Sequence, residues 1–266
     1  MTRAAKARLL RWGTLLALLA GLEAVARAGL VRKSVLVPVS TMASRLGEIV
    51  ATGTIPSPYF RRAGTPGFAE HLGTTLGEVG LSFGLVALAG LPLGVLLWRS
   101  RLLFEVLNPY LVAWYAVPVF ALYPLLLYLL GAGPLPIVLI GFLFGVVVVV
   151  LNTAIGLRRV EGEVYPRVGR SLGLRPAQAL GWIYLPAASP FVFTGLRLGF
   201  VYALIGVVAA EFIVSIRGLG HVIDRSYRNF ETANMYAGIL VVLLLAIVAN
   251  GALARLEAAL YGRFAR

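Results

Sequence analysis

The sequence predicts an all-α integral membrane protein with six transmembrane helices, and three observations lead to that class. Of its 266 residues, 59% are apolar and 13% charged, with a mean hydropathy of +0.88, against about 45–50% and about 25% in a soluble domain. The charges are spaced so that long apolar intervals stay free of them. The basic residues fall unevenly between alternate connections, 15 of 24 on one side, which is how a polytopic chain is oriented in a bilayer. A net charge of +13 in a soluble protein would suggest nucleic acid; here it is read as topological, and no nucleic-acid partner is expected. With no Cys, disulfides, thiolate metal sites and a Cys nucleophile are excluded, and two His leave little for a metal centre. No catalytic and no metal-ligating residues are assigned.

The first span is read over Arg11 to Ala28, with Glu23 interrupting it after 11 uncharged residues. Arg3, Lys6, Arg8 and Arg11 make a basic leader and Ala26-Arg27-Ala28 resembles a small-residue cleavage site, yet Glu23 and Arg27 suit a cleavage region poorly. The segment is taken as a retained helix. An outer connection follows. In it Met42, Leu46, Ile49 and Val50, then Phe68, Leu72 and Leu76, recur at helical spacing and predict two short helices, with Thr54 to Gly67 as a Pro-rich loop between them. His71 is placed in this connection.

The second span fills the 20 uncharged residues between Glu78 and Arg99. Val106 to Leu157 contains no charge over 52 residues, about 78 Å of helix, more than twice a hydrocarbon core of about 30 Å. It must fold back once, and Gly131-Ala132-Gly133-Pro134 marks the turn. Pro92, Pro118 and Pro124 free carbonyls within these spans, and Asn152 and Thr153 are suited to hydrogen bonds between helices. The fifth span runs from about Phe191 to Ile216 and carries Arg197 and Glu211. The sixth lies in the 23 uncharged residues between Glu231 and Arg255. With the amino terminus inside, both ends are cytoplasmic, and His221 falls in an outer loop.

The one long inner connection, Arg158 to Ser189, has a pattern of its own. Val164, Val168 and Leu172 recur every four residues, with Arg167 and Arg170 off that face. Gly173 then suits a left-handed helix C-cap, and Pro176 fits the first turn of a second helix, whose Leu180, Ile183 and Tyr184 share a face. Leu185-Pro186 is read as its end. Two short amphipathic helices pivoting on Gly173 would offer an apolar knob to a groove on a partner.

Gly173, nine residues, Ile183, one residue and Leu185-Pro186 resemble the distal half of the EAA-loop signature of permease subunits in ATP-binding-cassette importers. The stretch LPAASPFVFTGLRLGFVYALIGVVAAEFIVSIRGLGHVI is similar to the branch importing nitrate, sulfonates, taurine and related solutes. The family's Glu-Ala-Ala falls on Arg167, Val168 and Gly169, a departure. The resemblance implies a type I permease bundle over 71–257, preceded by 1–70 with the first span and outer connection and followed by a cytoplasmic tail, 258–266. It implies that Val168, Arg170, Leu172, Gly173, Pro176, Ile183, Leu185 and Pro186 form the loop that seats in a cleft of the ATPase. It further implies a second permease chain, a homodimer, two cytoplasmic ATPase subunits, an extracytoplasmic substrate-binding protein and a prokaryotic inner or plasma membrane location. ATP belongs to the partner. A phosphate-binding loop needs Lys after Gly, and the only two Lys, Lys6 and Lys33, follow Ala5 and Arg32. This chain therefore binds no cofactor of its own.

Four further positions are candidate gate or pathway residues. Glu211 is an intramembrane acid, functional by default, with a snorkelling carboxylate as the bland alternative. Arg197 reads as an anchor at the inner end of its helix, and Gly218 and Gly220 as a turn on the outer face near which the family has a gating segment. Glu23 reads as a lipid-edge carboxylate. A secondary transporter would want ionisable groups at the midplane and inverted repeats, yet the third, fourth and sixth spans are charge-free. An intramembrane hydrolase needs a nucleophile with a base inside the membrane, and neither Ser-His nor paired-carboxylate chemistry is legible.

Overall fold

The computed structural model describes residues 3–32, 34–60, 66–161 and 171–261. Their regular structure is helical: α1 (Arg3–Arg27), α2 (Val39–Thr52), α3 (Phe68–Arg99), α4 (Arg101–Ala113), α5 (Tyr123–Leu130), α6 (Pro134–Glu161), the single turn α7 (Pro176–Ala179), α8 (Leu185–Val214), α9 (Leu219–Arg228) and α10 (Thr232–Tyr261). Among the described residues, four stretches are long and apolar enough to cross a bilayer, namely Phe68–Arg99, Pro134–Glu161, Pro176–Val214 and Thr232–Leu260. A fifth is formed if Arg101–Ala116 and Val119–Leu130, which meet at 86°, are one broken span. The break falls at Val117-Pro118: Pro118 has no N–H to donate, and Val117 before it is extended at φ −75° and ψ 124°, as a residue preceding proline prefers. The first span, expected over Arg11 to Ala28, falls within the helix α1 up to Arg27.

The fold-back lies where the two glycines and proline predict it. Gly131 adopts φ +76° and ends α5, and Pro134 opens α6.

Two expectations about helix ends are corrected. Phe68, Leu72 and Leu76 do not form a separate short helix, because α3 runs unbroken from Phe68 to Arg99. Nor does Leu185-Pro186 end the inner helix. Leu180–Tyr184 is one π-helical turn in which the Leu185 N–H reaches back to the Leu180 carbonyl. This wider turn lets Pro186, lacking an N–H, follow without breaking the helix.

The chain divides into two compact units. In the first, Met1–Thr74 with Phe212–Leu243, Glu23 does not snorkel. Its carboxylate accepts from the Ser40 N–H at 3.1 Å and the Ser40 hydroxyl at 2.7 Å, which places a negative charge on the amino end of α2. The outer connection is tied to the start of α10: Thr232 Oγ1 donates to the Ser34 carbonyl at 3.0 Å, Tyr236 to that of Val35 at 3.0 Å and Asn234 Nδ2 to that of Pro56 at 3.3 Å.

In the second unit, Thr75–Glu211 with Leu244–Arg266, α6 and α8 pack backbone to backbone. A Cβ on Gly145 would stand 2.7 Å from the Gly199 carbonyl oxygen, an approach that only glycine permits. Small residues give such helices their contact in lipid, where no hydrophobic force drives association. Val86, Val149, Ala154, Leu157, Ala203 and Val207 close this core.

Candidate functional site

The inner connection and a buried carboxyl pair, both within the second unit, are the chemically distinctive places. Val168 and Arg170 lie outside the described residues. From Leu172 onward the geometry is defined. Gly173 sits at φ +64° with open space where a Cβ would be, so backbone conformation rather than crowding selects glycine. Pro176 opens α7, and the Arg175 N–H donates to Gln178 Oε1 at 3.0 Å. Beyond it Leu180, Tyr184 and Leu185 pack on the cluster of Leu157, Val160, Ala188 and Val192, and Tyr184 meets the Trp98 ring at 5.1 Å.

The face read as a docking knob from Leu180 and Tyr184 is thus turned into the bundle, with Ile183 half-buried. It seats the loop. The apolar groups left outside are Leu172, 64% exposed, and Trp182, 68% exposed. Trp182 was not singled out by periodicity, because the π turn shifts residues after Leu180 off an ideal helical wheel.

The second place was hidden from sequence spacing. Glu211 on α8 is completely buried, and the Thr75 hydroxyl on α3 donates to its Oε1 at 2.7 Å. The Glu78 carboxyl, 6% exposed, lies against that of Glu211, and its Oε2 has no hydrogen-bond partner. A carboxyl pair therefore exists where the sequence made none legible. Glu78 served in the sequence as the boundary of a span, whereas it stands inside α3.

Arg197 is ion-paired with Glu257 of α10 and donates through Nε to the Phe193 carbonyl at 3.3 Å. In the first unit, Gly218 at φ +94° starts α9, and its N–H donates to His71 Nδ1 at 3.1 Å. Gly220 is buried on the inner side of that helix. His71, 1% exposed, is in the first turn of α3 rather than in a loop, and its ring stacks on His221 of α9 at 5.9 Å. Phe60 meets both rings edge-on. Burial, more than the nearby Arg225, pushes the His221 imidazole below its ordinary value.

Comparison with known proteins places this geometry. The model of the family described as binding-protein-dependent transport system inner membrane component matches residues 87–261. The nitrate import permease protein NrtB of Synechocystis sp. is 30% identical over 196 residues, 71% of each chain. The taurine transport system permease protein TauC of Escherichia coli is 31% identical over 191 residues, 70% of this chain and 69% of that one. Among solved structures, an inward-facing MetNI methionine ABC transporter chain superposes with a TM-score of 0.60 at 18% identity, covering 72% of this chain and 94% of that one. At that identity the likeness is one of fold.

Proposed function

The chain belongs to the family of binding-protein-dependent transport inner membrane components, the permeases of ABC importers, and on that premise we propose that the turn at Gly173 is where a separate ATPase drives it. The family consists of transporters rather than enzymes, and the chain is a multi-pass bacterial membrane protein. Its partners are an ATPase and a substrate-binding protein. Beyond that, the reading is of two copies enclosing one pathway with two ATPase subunits beneath, residues 71–257 forming the permease domain, and both chain ends cytoplasmic. The solute is small and carries an anionic group, as do nitrate and the sulfonate end of zwitterionic taurine, the solutes named for the two relatives.

One observation carries the proposal. Leu180 and Tyr184 fix the inner helix to the bundle while Leu172 and Trp182, on either side of a left-handed glycine, remain exposed. A rigidly seated segment with two projecting apolar side chains transmits a push, and such side chains serve as anchors in a partner's groove.

Cysteine chemistry tests both orientation and docking, since the native chain has no Cys. A cysteine replacing Arg175 should resist impermeant reagents in intact cells and react in inverted vesicles. Trp182→Cys should cross-link to the ATPase. Labelling of the Arg175→Cys variant in intact cells would reverse the orientation, and cross-linking only to the binding protein would move the docking surface elsewhere.

A further inference from the structure

The second unit contains an apolar cavity of about 600 Å³. Leu91 and Leu96 of α3, Val192 and Leu196 of α8 and Leu260 of α10 are among the apolar residues that line it. Ligand sites typically enclose about 300–1,000 Å³, mostly apolar with a few placed polar groups. An apolar void of only about 150 Å³ already stays dry and takes up a hydrocarbon rather than water. The occupant suited to this cavity is therefore a hydrocarbon chain.

Three polar residues, Thr153, Ser189 and Arg99, interrupt the wall. Thr153 of α6 is fully buried, and its Oγ1 has no hydrogen-bond partner, an arrangement that costs stability unless something in the cavity accepts from it. Arg99, the last residue of α3, lines the same space. The nearby carboxylates are engaged elsewhere: Trp98 Nε1 donates to Glu161 at 3.0 Å, and Arg101 Nε to Glu105 at 2.8 Å. Among the described residues Arg99 has no ion-pair partner. Arg158 is held at the same end of α3 by the carbonyls of Leu97, at 2.8 Å, and Ser100, at 3.2 Å, adding positive charge there. From Leu91 to Arg99 is about 12 Å of helix, most of one leaflet in a hydrocarbon core of about 30 Å. The cavity thus has a long apolar body, a hydroxyl donor and a cation at its mouth.

We propose that it binds one anionic phospholipid, with an acyl chain along the aliphatic wall, an ester oxygen accepting from Thr153 and the phosphate on Arg99. Basic pockets between transmembrane helices recognise lipid headgroups in this way. The inference rests on the membrane reading above, and on the proposed orientation only for which leaflet supplies the lipid.

Native mass spectrometry of the purified permease–ATPase complex, supplied with phosphatidylglycerol or phosphatidylcholine, tests it. The wild type should retain one phosphatidylglycerol per permease chain, about fivefold in preference to phosphatidylcholine, the effect of one cation near a headgroup. Arg99→Gln should erase that preference while leaving retention of both. Thr153→Val, which keeps the side-chain shape, should weaken retention of both. Equal retention of the two lipids by wild type and Arg99→Gln would overturn the proposal. So would a disulfide between two Leu196→Cys copies, since a second chain would then cover the cavity. ATP hydrolysis stimulated by binding protein is measured on the same preparations. Intact stimulation without a retained lipid defeats this inference alone, whereas wild-type complex that is never stimulated defeats the transport reading.

Discussion

The Thr75 hydroxyl donates to the Glu211 carboxylate at 2.7 Å across 136 residues of sequence, inside a buried site where Glu78 supplies a second acid. Removing a donor from a buried acceptor costs about 1–3 kcal/mol, so Thr75→Val should lower the melting temperature of the purified complex while Thr75→Ser should not. Glu211→Gln preserves shape and should allow assembly while reducing transport, because charge and not volume has been changed. Wild-type uptake and ATPase stimulation in Glu211→Gln would show that the pair only packs the helices.

Arg197 and Glu257 form an ion pair between α8 and α10, with side-chain exposures of 31% and 23%. Half-screened pairs of this kind contribute about 1 kcal/mol or less. A double-mutant cycle of Arg197→Gln and Glu257→Gln should give a coupling energy of that size in thermal stability, with solute uptake nearly unchanged in the double variant. Loss of uptake in Arg197→Gln that Glu257→Gln does not reproduce would restore Arg197 to the pathway.

His221 is held below its ordinary value first by burial, then by Arg225, against a hydrogen bond it donates to the Ser215 backbone and the charge of Asp224. His71 stacks on it, and Arg225 stands over Phe60 at 5.3 Å. The folded protein therefore binds fewer protons here than the unfolded chain once the pH drops below about 6.5. Stability from this group is present above that value and declines on acidification. Melting temperatures between about pH 8 and about pH 5 should fall for the wild type, and less steeply for His221→Gln. Parallel curves would assign the acid sensitivity to other groups.

Much of the architecture was legible where it depends on nearest neighbours. Charge-free intervals located the apolar helices, Gly131 to Pro134 marked the fold-back, and the spacing around Gly173 pointed to a left-handed residue that the backbone contains. What was not legible depends on partners far along the chain. Glu78 and Glu211 sit on α3 and α8 with nothing in either neighbourhood to announce the other. His71 looked like a loop residue because a charge-free interval begins only at Val79, although α3 starts at Phe68. Pro186 looked like a terminator because the π turn that accommodates it has no sequence mark of its own. The same turn hid Trp182.

In the proposed docking, coupling to the ATPase turns on Gly173. At φ +64° any side chain is strained by about 1 kcal/mol or more, and the space around it is open, so a substitution alters the turn without colliding with the bundle. Gly173→Ala should weaken coupling, and Gly173→Asp should weaken it further by adding a charge beside Leu172 at an apolar contact.

The most direct measurement is ATP hydrolysis by the purified complex of Gly173→Asp permease and ATPase in lipid, with and without loaded binding protein. The membrane chain should fold, basal hydrolysis should persist and stimulation should be lost. Full stimulation by binding protein in that variant would contradict the proposed docking.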